Sequence, residues 1–125
     1  MATENEPAQA HVNRANSYLN EGQYDQAISE CTKAIQLDPQ LYLAYINRAS
    51  AYSMNGQHDL VIVDCNQAIQ MEPALPLAYL SRAMAYRSLG RKNEALSDFE
   101  KLITLAGSSP LAEIAKKHVE ELSQS

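Results

Sequence analysis

Cysteine is scarce in this chain, and so is positive charge. Its 125 residues include two cysteines, Cys31 and Cys65, too few for a disulfide framework and without metal-ligand spacing. Lysine and arginine number 10 against 15 aspartates and glutamates, a formal net charge of −5. That balance argues against the basic footprint of a nucleic-acid binder or a membrane-surface face. No apolar run approaches the ~18 residues that a membrane-inserted helix needs. The opening MATENEPAQA is acidic and polar, unlike a secretory leader. A reducing, cytoplasmic setting is the expectation.

Residue sets that carry chemistry are missing too. His11, His58 and His118 lie in different segments with no HExxH or CxxC companion, so no metal set assembles. The sequence shows no Ser/His/Asp set, phosphate loop or isolated carboxylate pair. Neither catalysis nor a cofactor is expected.

Glycine is rare as well, with only four residues, yet three of them recur at one spacing: Gly22, Gly56 and Gly90. Each ends a related stretch, RANSYLNEG from Arg14, RASAYSMNG from Arg48 and RAMAYRSLG from Arg82. The alanines 15, 49 and 83 and the tyrosines 18, 52 and 86 keep the same phase. A second block follows each glycine: Ala27, Val61 and Ala95, then Ala34, Ala68 and Leu102, then Ile35, Ile69 and Ile103. Self-similarity at a fixed period of this length is the mark of a stacked array.

Each unit reads as two helices and a turn. Tyr45, Ala49 and Tyr52 fall at helical spacings within 41–54, and Asn55-Gly56 breaks the pattern, since glycine enters the left-handed conformation at little cost. A second helix is expected over about 58–71, halted at Glu72-Pro73 because proline cannot continue the hydrogen-bond ladder. The alanines place the two backbones of each hairpin close together, with tyrosines filling the flanks. Arg14, Arg48 and Arg82 are each followed sixteen residues later by an acid, Glu30, Asp64 or Asp98. In a hairpin turning near the glycine these positions lie level, which predicts an Arg–carboxylate pair in every unit. Cys31 and Cys65 share a phase with Phe99, so the slot is apolar. Past the third unit, Ser109 and Pro110 suit a helix start. Leu111, Ile114, Ala115, Val119 and Leu122 then share one face, as a lid over the last unit's open side would need.

Units of thirty-four residues with this plan resemble the tetratricopeptide repeat family, matched in the first unit at Ala15, Tyr18, Gly22, Tyr24, Ala27, Ala34 and Pro39. The resemblance implies an all-α fold, a right-handed α-solenoid of three helix-turn-helix repeats with a C-terminal capping helix. The expected organisation is a tail over 1–7, repeats over 8–41, 42–75 and 76–109, and the capping helix and tail over 110–125.

In that family the first helices line a concave face where peptides commonly bind. Carried over by position, the implied contacts are Val12, Asn13, Asn16 and Asn20 in the first unit. The second supplies Leu43, Ile46, Asn47 and Ser50, and the third Leu77, Leu80, Ser81, Met84 and Arg87. One branch of the family grips the C-terminal carboxylates of heat-shock chaperones with two asparagines and three basic residues. Asn16 and Asn47 match the asparagines, but the basic positions hold Val12, Leu77 and Ser81. Without those charges a terminal carboxylate loses bonds worth about 1.5–3 kcal/mol each. The implied activity is therefore a protein–protein interaction module for an apolar or mixed peptide, monomeric, with asparagines bonding the guest backbone. Two alternatives stand beside it: chaperone-like sequestration of a hydrophobic client, and a structural adaptor that self-associates by exchanging the lid helix.

Overall fold

A computed structural model describes residues 6–124, so residues 1–5 of the expected tail, and Ser125, lie outside the described residues. Seven helices run in chain order: α1 Ala8–Asn20, α2 Tyr24–Leu37, α3 Tyr42–Met54, α4 His58–Met71, α5 Pro76–Ser88, α6 Lys92–Ala106 and α7 Pro110–Ser123. No strand occurs among the described residues. The helices pair as three hairpins, α1/α2, α3/α4 and α5/α6, followed by α7.

The turn inside each hairpin explains the recurring tyrosine and glycine. Gly22, Gly56 and Gly90 take φ of 76°, 75° and 77°, the left-handed region that a β-carbon disfavours. At each turn the residue after the glycine donates its N–H to the carbonyl of the repeated tyrosine. Gln23 reaches Tyr18 at 2.8 Å, Gln57 reaches Tyr52 at 2.9 Å and Arg91 reaches Tyr86 at 2.8 Å. The glycine N–H itself returns to the next carbonyl, as Gly56 does to Ser53 at 3.0 Å. Together these bonds make a Schellman closure, which satisfies carbonyls that a helix end would leave bare.

The alanine series is buried where the hairpin halves meet. Ala15, Ala49 and Ala83 are fully buried, as are Ala27, Val61 and Ala95 opposite them. A separate series joins one hairpin to the next. Ala51 packs into the cluster of Ala15, Ala27 and Cys31, and Ala85 into that of Ala49, Val61 and Cys65. Ser17, the equivalent in α1, meets no preceding unit among the described residues and is exposed. Between units, the Tyr45 hydroxyl donates to the Pro39 carbonyl at 3.3 Å and that of Tyr79 to Pro73 at 2.9 Å.

Helix α7 docks in the register of a fourth first helix. Ala112 is buried like Ala44 and Ala78 before it, and Ala115 and Leu122 close over the Phe99–Leu102 cluster with Val119 beside them. Ser109 caps it, its hydroxyl oxygen accepting the Ala112 N–H at 3.3 Å. Ile114, expected on the covered face, is instead 44% exposed. It lies in phase with Ile46 and Leu80, a position that needs a following unit to cover it.

Burial pushes both cysteine thiols up from the usual 9.0 to about 12. A thiol is the nucleophile only as thiolate, so Cys31 and Cys65 should resist alkylation by iodoacetamide at pH 8 until the chain is unfolded. Because the folded values are raised, the cysteine contribution to stability is intact below about 9 and lost as pH climbs toward about 12. Labelling of either thiol in native protein, read by mass spectrometry, contradicts the burial.

Candidate functional site

Curvature follows from which helices touch. α1 meets α3, α3 meets α5 and α5 meets α7, whereas α2, α4 and α6 do not reach one another. A continuous inner layer and a splayed outer one bend the stack, with the first helices and α7 on the inside.

Arginine–carboxylate pairs hold those first helices in orientation. Arg48 grips Asp64 through both oxygens at 2.8 Å and donates to the Thr32 hydroxyl at 3.2 Å. Arg82 grips Asp98 at 2.7 Å on both oxygens and reaches Asn66 at 2.8 Å. Each guanidinium also lies between two tyrosine rings, Arg48 near Tyr45 and Tyr52 and Arg82 near Tyr79 and Tyr86, an added electrostatic attraction. The first unit varies the theme. Glu30 accepts from His11 Nδ1 at 2.7 Å and from Arg14 at 3.1 Å, and Arg14 turns a second nitrogen to Glu6. These arginines are structural, as their spacing from the acids predicts.

The residues expected to face the hollow divide into two groups. Val12 and Ile46 are 1% and 6% exposed and belong to the core between units. Val12 packs with Ala34 and Ala44, and Ile46 with Ala68 and Ala78. They offer a guest almost no surface, because a first helix in a stack is flanked on two sides and only a narrow stripe stays open. Leu80 is half-buried against the third unit's core.

The remaining residues form that open stripe. Asn13, Asn16 and Asn20 are exposed, Asn47, Ser50 and Ser81 half-buried. Leu43, Leu77 and Met84 are 41%, 47% and 38% exposed. Asn47 donates its side-chain N–H to Asn16 Oδ1 at 2.9 Å, tying α3 to α1 across the inner surface. Gln9 bonds Asn13 at 3.0 Å, and the Ser50 hydroxyl turns back to the Ile46 carbonyl at 3.2 Å. The Asn16–Asn47 bond leaves amide N–H groups of Asn16 and the side-chain carbonyl of Asn47 unengaged, donors and an acceptor close together.

One cluster was not foreseen. Arg87 donates to His118 Nδ1 and, at 2.9 Å, to Glu121, both on α7. The His118 ring stacks on Phe99, with centroids 4.6 Å apart and planes 4° from parallel. Burial, with Arg87 adding to it, holds the His118 imidazole below its usual range, so Nδ1 is free to accept. The Arg87 hydrogen bond holds the Glu121 carboxyl low. The signal was present, because Glu121 lies one full period beyond Arg87.

Among the described residues no group of His, Cys, Asp and Glu is placed to hold a metal ion, and no helix is long and apolar enough to cross a membrane.

Three stretches match the tetratricopeptide repeat as a family, residues 8–41, 30–61 and 77–109. Sequence comparison with curated proteins finds no match. Among solved structures, the first TPR domain of Spaghetti (RPAP3) bound to the HSP90 peptide SRMEEVD is 30% identical, with a TM-score of 0.89 over 94% of this chain and 90% of that one. The second TPR domain of human RPAP3, in complex with the HSP70 peptide SGPTIEEVD, is 30% identical at a TM-score of 0.87, covering 94% and 96%. The TPR2B domain of yeast Sti1, in a pHsp70 complex, is 25% identical at 0.87, again covering 94% and 96%.

Proposed function

The chain belongs to the tetratricopeptide repeat family, and from that premise we propose that it is a cytoplasmic interaction module holding an extended, largely apolar peptide along its inner surface. One observation carries the reading: three large apolar side chains of the inner helices α3 and α5, Leu43, Leu77 and Met84, stand exposed, and the Asn16–Asn47 amide pair joins α3 to α1 in the same inner row. Exposed apolar surface grouped with a few oriented polar groups is the composition of a recognition site. Asparagine bonds a passing backbone amide while the leucines and Met84 take side chains of either hand, methionine adapting to varied shapes.

The similar domains of RPAP3 and Sti1 hold chaperone peptides. This chain shares their fold but has Val12, Leu77 and Ser81 where a terminal-carboxylate grip needs cations. Its guest is therefore an internal or blocked segment, bonded through its backbone and gripped by apolar contact. Sequestration of an apolar client segment is the same chemistry at lower selectivity.

A positional array of acetylated, amidated heptapeptides built on Leu, Ile, Val, Ser and Asn tests this by fluorescence polarisation. Asn47→Ala with Leu77→Ser should weaken the best binders at least about tenfold. Both side chains are partly or wholly exposed, so stability should move by no more than about 1 kcal/mol. Unchanged affinity in that double variant rejects the inner surface as the site.

A further inference from the structure

Arg87 is unlike the other residues of the inner stripe, which are uncharged. The remaining arginines of α1, α3 and α5, Arg14, Arg48 and Arg82, are engaged within their own hairpins by Glu30, Asp64 and Asp98. Arg87 instead has its carboxylate supplied by α7, and that partner, the Glu121 side chain, is 58% exposed. An exposed pair of this kind adds little net stability and exchanges readily. The docking of α7 does not depend on it, since Ala112, Ala115 and Leu122 already bury the interface. Nor does the repeat demand it, because Leu19 and Ser53 occupy the equivalent positions in the first two units.

The second partner of the same Arg87 nitrogen is firmer. His118 accepts from the guanidinium and is itself stacked on Phe99, which is fully buried. One guanidinium nitrogen, Nη1, thus bonds both a neutral ring that packing holds in place and a replaceable carboxylate. Met84, one turn earlier on the same face of α5, supplies apolar surface next to it.

Resting on the groove reading above, we propose that Arg87 is a subsite for an acidic side chain of the guest, an Asp or Glu, and that Glu121 is its built-in occupant until the guest displaces it. A guest carboxylate takes over the 2.9 Å bond and Glu121 returns to water. The preferred guest is then an apolar extended segment with one acid placed to reach the α5–α7 end.

Three proteins and three peptide sets test the subsite: wild type, Arg87→Gln and Glu121→Gln, each against blocked heptapeptides with one Glu stepped along, their Gln twins, and Gln twins with a free C-terminus. Wild type should favour the best Glu peptide over its twin about fivefold, Arg87→Gln should erase that preference, and Glu121→Gln should raise affinity for the Glu peptide several-fold with the twin unmoved. A Glu preference that survives Arg87→Gln, or Glu and Gln peptides bound equally by wild type, overturns the subsite while leaving the groove reading intact. If the free C-terminus alone restores the preference, the ligand is a terminal carboxylate and the side-chain assignment is wrong. If no peptide of any set binds saturably, both readings fall together.

Discussion

Asp64→Ala lowers the unfolding free energy by about 3–5 kcal/mol, the usual loss when one partner of a buried ion pair is removed. Asp64 is 1% exposed, and both its oxygens accept from Arg48 at 2.8 Å. Cutting the carboxylate leaves a guanidinium whose side chain is 18% exposed, with Thr32 as its remaining hydrogen-bond partner. The penalty comes from that stranded charge rather than from any large net worth of the pair. Arg48→Met with Asp64→Leu together should therefore recover most of the loss. Urea unfolding followed by circular dichroism measures both. A loss below about 1 kcal/mol for Asp64→Ala would mean that Arg48 finds water and that the pair does not set the hairpin's geometry.

Phe99→Ala costs a similar amount, about 3–5 kcal/mol, by a different route. Phe99 is fully buried at the centre of a cluster that includes Tyr79, Ala83, Leu102 and Ala115, so it joins α5, α6 and α7. Its ring also carries His118. The first two units fill this slot with Cys31 and Cys65, and a third-unit alanine would leave a far larger void than theirs. The expected signature is local as well as global, with the amide protons of α7 beyond its first proline losing hydrogen-exchange protection before those of α1 and α2. Uniform loss across all seven helices would show that α7 is not a separable lid.

Much of the architecture was written in the phase of a few residues. Gly22, Gly56 and Gly90 mark left-handed turns because no other residue adopts that backbone so cheaply. The sixteen-residue interval from arginine to acid fixes a cross-hairpin pair because two antiparallel helices turning at a known glycine leave one level for each position. The inner stripe was harder to read. A first helix of thirteen residues such as α3 packs on its own hairpin partner, on the preceding unit and on the following one. Helical periodicity alone does not separate a side chain pressed between units from one turned to the hollow. Val12 and Ile46 are pressed between units, while Leu43 and Leu77 are exposed. Ile114 differed in the opposite direction, as an apolar residue expected on the covered face but 44% exposed, with no further helix stacked on α7 among the described residues. The Arg87–Glu121 contact was hidden because α7 reads as a lid with a charged outer side, although its register makes it the next inner helix.

With no close backbone approach among α2, α4 and α6, each outer helix is held by the two inner helices beside it: α2 by α1 and α3, α4 by α3 and α5, α6 by α5 and α7. Rotating one hairpin against the next must therefore slide side chains both along the α1–α3–α5–α7 row and where each second helix packs on the next first helix, as Ala27 and Cys31 do on Ala51. Widening or narrowing the hollow is thus a deformation shared among three joints, each of which involves three helices. The Asn16–Asn47 hydrogen bond spans the first joint on its inner side and the exchangeable Arg87–Glu121 pair spans the last.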